Sequence, residues 1–118
     1  RDRLLFDAGS WDEVIDCLSV LKKANEYTAE CAYIEAKVYL YKHNYLKAVE
    51  LFKVVLKYDY NKEYFHAYSC YYLARIEFDN GRVDLASKWI KSGGQFNDYP
   101  HQQMIEVQLK KLENEITQ

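Results

Sequence analysis

Metal binding or acid–base catalysis in this 118-residue chain would have to be assembled from three histidines, three cysteines and 18 acidic side chains. His43, His66 and His101 have no Cys, Asp or Glu at metal-ligand spacing on the same helical face; Glu63 beside His66 is the nearest approach, and two ligands do not hold zinc. No metal site is expected. Cys17, Cys31 and Cys70 are odd in number, far apart and without a CxxC spacing. The expectation is three buried thiols, each behaving as a small hydrophobe, which favours a reducing compartment. The carboxylate pairs Asp12–Glu13 and Glu113–Glu115 fall on expected helix surface, where nothing would raise a pKa for acid catalysis. Gly93-Gly94 lacks the lysine and hydroxyl of a phosphate loop and reads as a helix stop, and no G-x-S-x-G elbow occurs. Neither an enzyme nor a cofactor is expected.

Tyrosine is the unusual chemistry, with 12 in the chain. Tyr33, Lys37 and Tyr41 recur at intervals of four, which keeps them on one side of a helix. Tyr68, Tyr71, Arg75 and Phe78 follow at intervals of three, four and three on another. Tyr39, Tyr45 and Tyr72 are expected to be packing wedges.

Helices must carry these stripes, because apolar residues recur at three and four positions in segment after segment. Ser10 and Glu13 form a capping box ahead of Val14, Leu18 and Leu21. Thr28 caps a second helix to about Tyr41, and Asn44 a third holding Ala48, Leu51, Phe52 and Val55. Asn61 caps a fourth ending near Asn80, a fifth runs from about Arg82 to Lys91, and Asp98-Tyr99-Pro100 opens the last with proline in its first turn. That last helix gathers Met104, Ile105, Leu109, Leu112 and Ile116 on one face and Gln102, Gln103, Glu106, Lys110 and Lys111 elsewhere. With 49% hydrophobic and 29% charged residues the chain can bury one core, as a single domain.

Acids and bases are mixed along the chain to a net charge of −2, so there is no basic stripe to neutralise phosphates, and nucleic acid is not an expected partner. No run of about 18 apolar residues could cross a bilayer, so membrane insertion is not expected either. The reading is a soluble intracellular chain, cytoplasmic or nuclear. It begins at Arg1 without an initiator Met, as a piece of a longer protein would.

Self-comparison reveals a repeat. Val14 and Ala48 are 34 residues apart and Ala48 and Ala86 are 38 apart, the longer step being absorbed in the loop around Asp59 to Glu63. Ala36, Tyr39, Tyr45, Ala48 and Phe52 follow a small, aromatic, aromatic, small, aromatic order. Leu73, Ala74, Ala86 and Ile90 stand at the equivalent places of a third unit, and Leu5, Trp11, Val14 and Leu18 at those of a partial first one. On these residues the chain resembles the tetratricopeptide-repeat (TPR) family. It departs at Asp2 and Val14, which replace small residues, and at Tyr60, which stands where the motif has proline.

The resemblance implies an all-α helix-turn-helix solenoid: a truncated repeat over 1–26, repeats over 28–58 and 62–93, and a capping helix over 99–117. It implies a protein-binding scaffold whose concave groove is lined by Tyr33, Lys37, Tyr41, Tyr68, Tyr71, Arg75 and Phe78. The expected partner is a peptide or protein with acidic and apolar residues, and self-association remains open. The stretches Tyr72-Leu73-Ala74, Ala86-Ser87 and Phe96-Asn97-Asp98 also resemble the last repeats of a TPR subunit of the anaphase-promoting complex, a ubiquitin ligase. An accessory domain of a larger enzyme is the alternative from another class. A co-chaperone is the alternative within the family, but its carboxylate clamp needs Asn, Asn, Lys and Arg where Arg3, Ile34, Tyr68 and Tyr72 stand.

Overall fold

Thr28 and Asn44 start their helices as their side-chain chemistry requires: each accepts from the backbone N–H three residues on, at Cys31 and Lys47, both at 3.3 Å. The computed structural model describes residues 10–118, which hold six α-helices and no strand: α1 (Trp11–Lys23), α2 (Ala29–Tyr41), α3 (Tyr45–Lys57), α4 (Phe65–Asp79), α5 (Val83–Gly93) and α6 (Gln102–Ile116). None is long and apolar enough to cross a membrane. The parts expected of Asp2, Arg3 and Leu5 lie outside the described residues.

Three boundaries differ from expectation for identifiable reasons. Ser10 stands before α1 but makes no side-chain cap bond. Helix α4 begins at Phe65 rather than after Asn61, because Lys62 takes a left-handed turn (φ 63°) that no helix accommodates. Pro100 lies ahead of α6 rather than in its first turn, since His101 is also left-handed (φ 69°) and the helix starts only beyond it. The two hairpin turns are equivalent: His43 (φ 62°) holds in the first the conformation that Gly81 (φ 80°) holds in the second.

Helices α2 and α3 form one antiparallel hairpin and α4 and α5 a second, each joined by a turn of three residues. Ala36 and Ala48 are fully buried in the cluster shared by α2, α3 and α4. Ala74 and Ala86 are fully buried in the one shared by α4, α5 and α6. Small side chains at these points let the helices of each hairpin approach closely, and Phe52 and Leu73 fill the space beside them, each burial stabilising by about 1.5 to 3 kcal/mol. Helix α1 joins through Val14 and Leu18 against Val38 of α2. Buried Glu35 of α2 reinforces that junction, accepting from Tyr27 Oη at 2.5 Å and from Lys22 Nζ at 3.2 Å.

Helix α6 lies along the second hairpin with Ile105, Leu109 and Leu112 buried, while Met104 stays exposed. Arg75 of α4 ties down its far end, donating from Nη1 to both carboxylate oxygens of Glu115 at 3.1 and 3.0 Å. The connection before α6 is fixed as well: Tyr60 Oη donates to the Asn97 carbonyl, and the Tyr60 and Phe96 rings pack 4.9 Å apart. His66 Nε2 donates to the Tyr58 carbonyl at 2.8 Å beneath that ring.

Candidate functional site

Contacts along the helices set their relative direction. Tyr33 near the start of α2 meets Phe65 at the start of α4 (centroids 5.5 Å apart), and Lys37 one turn on meets Tyr72 further along α4. His101, just before α6, meets Tyr64, just before α4, while Glu115 near the end of α6 meets Arg75. Helices α2, α4 and α6 therefore run the same way, with α4 in the middle. Between α2 and the start of α6, the start of α4 forms the floor of a cleft of about 370 Å³.

One wall is the stripe of α2 comprising Glu30, Tyr33, Ile34, Lys37 and Tyr41; the floor is Tyr64, Phe65 and Tyr68; the other wall is His101, Met104 and Ile105. Intervals of three and four along α2 place its five residues on one side, as helical geometry demands. The rings brace one another, with Tyr33 edge-on to Tyr64 at 5.8 Å and Tyr68 stacked on Tyr72 at 4.9 Å.

Lys37 supplies the charge. Its ammonium donates to Tyr72 Oη at 3.0 Å and stands 4.9, 5.4 and 5.7 Å from the centroids of Tyr72, Tyr41 and Tyr33. The side chain is half-buried, and no carboxylate among the described residues forms an ion pair with it. Burial holds the Tyr33 and Tyr72 phenols above their ordinary range, Tyr72 at about 12, so both are neutral hydrogen-bonding groups at physiological pH. Tyr68 is raised by burial and by Tyr72 but lowered by the Lys37 charge. Rings, neutral hydroxyls and a cation with no counter-ion among the described residues could receive an anion beside an apolar group.

Of the seven residues expected to share a groove, Tyr33, Lys37, Tyr41 and Tyr68 line this cleft, whereas Tyr71, Arg75 and Phe78 do not. Tyr71 and Phe78 pack against the α4–α5–α6 core, and Arg75 is engaged by Glu115 and by Asp79 at 3.7 Å. Lys37 and Arg75 stand 38 residues apart, the same step as from Ala48 to Ala86, yet they differ: Arg75 is held by two carboxylates and Lys37, among the described residues, by none. Tyr33 is a core side chain, 6% exposed, that shows the cleft one edge. Tyr64, four residues before Tyr68, could have been found by extending the stripe back one turn. His101 and Met104 carry no such signal, because their place depends on how α6 docks.

Two further expectations are corrected. Tyr45 is no packing wedge but an exposed ring, hydrogen-bonded through its hydroxyl to His43 Nδ1 at 2.9 Å. Only Cys70 is a fully buried thiol, its pKa pushed up to about 12 by burial; Cys31 is half-buried, and Cys17 is exposed because it borders the Val14–Leu18 stripe of α1. Among the described residues no group of three His, Cys, Asp or Glu side chains could hold a metal ion. Comparison with protein-family models, curated proteins and solved structures finds no match to this chain.

Proposed function

We propose that the chain is a TPR-type scaffold module that binds a segment of another polypeptide in the cleft between α2, α4 and α6. Lys37 receives a carboxylate, and the ring-lined surface receives apolar side chains. The observation that carries this reading is the half-buried Lys37 ammonium over three tyrosine faces with no carboxylate partner among the described residues. A cation already partly desolvated gains more from an incoming anion than one in open water, because less hydration remains to be stripped. The cleft volume falls in the range of ligand sites and accommodates one or two large side chains.

The repeat register supports the TPR assignment: Val14, Ala48 and Ala86, the aligned positions of the three units, are all buried. The likeness to an anaphase-promoting-complex subunit favours work inside a larger assembly. Ile34 and Tyr68, where a carboxylate clamp would need Asn and Lys, line the cleft, so a partner here is gripped through rings and one ammonium rather than through a clamp.

Selection of a displayed random-peptide library on the chain tests the reading. Enriched peptides are expected to carry Asp or Glu close to an aromatic or aliphatic residue, and Lys37→Glu is expected to weaken their binding by about tenfold or more with melting temperature retained. No enrichment, or equal binding by the Lys37→Glu chain, refutes it.

A further inference from the structure

Helices α3 and α5 leave large apolar side chains of their first turns uncovered. Leu46 is 85% exposed, far more than any other large apolar residue described, and Tyr45, Val83 and Leu85 are exposed with it. The hairpin turns ahead of these helices lie at the same end of the molecule: Tyr45 from one and Asp79 and Asn80 from the other line a single recess of about 170 Å³, with Ile76 also in its wall. The bond from His43 keeps the Tyr45 ring in place at this recess.

A protruding leucine beside a recess of roughly leucine size is self-complementary. Rotation about a two-fold axis carries Leu46 of each copy into the recess of the other, the reciprocal arrangement an isologous contact requires. Charge agrees with shape: Lys47, which follows the leucine, is held only loosely by Glu50 at 4.0 Å, and Asp79, which lines the recess and meets Arg75 at 3.7 Å, is more than half exposed, so the same rotation adds an ammonium beside a carboxylate twice. We propose that this end of the molecule is a contact between two copies of the chain, anchored by Leu46. Four exposed apolar residues make a patch well below the roughly 800 Å² per partner of a stable interface, so the pairing is weak and concentration-dependent.

Sedimentation equilibrium from about 10 μM to about 1 mM tests this, a range matched to so small an interface. The weight-average mass of the wild-type chain is expected to rise from 14.1 kDa toward twice that value, and that of Leu46→Asp to stay at 14.1 kDa. Asp at the second position of α3 suits the helix N-terminus, so this variant keeps its helical signal and melting temperature. Val107→Asp, at an exposed apolar position on α6, is expected to associate like wild type. Lys47→Glu and Asp79→Lys should each weaken association and together restore it. A wild-type chain monomeric to about 1 mM overturns the proposal, and so does association that survives Leu46→Asp. Failure of the double charge swap to recover what the single changes lose overturns it too.

Discussion

Gly93 and Gly94 are adjacent, both have helical φ or lie at the end of a helix, and their replacement by alanine is expected to act in opposite directions. A Cβ on Gly93 would sit 3.0 Å from Cys70 Cβ, 3.4 Å from the Ala67 carbonyl oxygen and 3.4 Å from Leu109 Cδ1. The leucine can rotate away, but Cys70 Cβ and the Ala67 carbonyl are fixed to the buried face of α4, so α5 must move off its partner. Overpacking of this kind costs about 1 to 3 kcal/mol, offset by about 0.5 to 1 kcal/mol from the lower backbone entropy of alanine in the unfolded chain. With both at the middle of their ranges, Gly93→Ala is destabilised by about 1 kcal/mol. A Cβ on Gly94 meets nothing closer than 3.6 Å, and its φ of −71° suits alanine, so Gly94→Ala gains a few tenths of a kcal/mol up to about 1. Urea unfolding of both variants measures the difference, with unchanged slope as the check on two-state behaviour. A Gly93→Ala chain as stable as wild type would show that α4 and α5 do not approach closely there, and the hairpin geometry would need redrawing.

Ala48→Leu and Ala86→Leu should each cost about 1 to 3 kcal/mol through overpacking; unchanged melting in both would break the repeat register. Arg75→Glu should lower stability by about 1 kcal/mol or less, because its ion pairs are part-exposed and screened, and should leave peptide binding in the cleft intact. Binding lost with melting unchanged would return Arg75 to the site. Tyr33 and Tyr72 should make the fold sensitive to alkali. Their folded pKa values lie above the unfolded value of about 10, so the stability they contribute is complete below pH 10 and drains away as pH rises toward and beyond 12. The loss is about 1.4 kcal/mol per pH unit for each phenol still neutral in the fold. Phenolate absorbance should reach its full amplitude only as the helical signal disappears, and full ionisation of a still-helical chain would contradict the burial argument.

Local signals were readable wherever one residue type answers one backbone need. Thr28 and Asn44 announce helix starts because their side chains replace missing hydrogen bonds, and the alanines announce crossings because nothing larger fits. Three of the seven residues expected in one groove face elsewhere for a geometric reason. Tyr68 and Tyr71 differ in direction by about 60° on a helix of 3.6 residues per turn, enough to put one in the cleft and the other under α6. Where that division falls depends on the docking of α6, which no periodicity in α4 encodes. Gly93 does end α5, as expected, but its second role against Cys70 and Leu109 is hidden for the same reason, since a glycine demanded by a neighbouring helix looks in sequence like one demanded by a helix end.

The placement of the two tryptophans gives the molecule its own optical reporters. Trp11 stacks on Tyr41, a wall of the cleft, with centroids 6.4 Å apart, while Trp89 is packed against the clusters on both sides of α4. Emission from the first follows events at the cleft rim, and emission from the second follows the integrity of the interior. Single replacements of Trp11 and Trp89 by Phe would therefore separate occupancy from unfolding in one cuvette, without a dye.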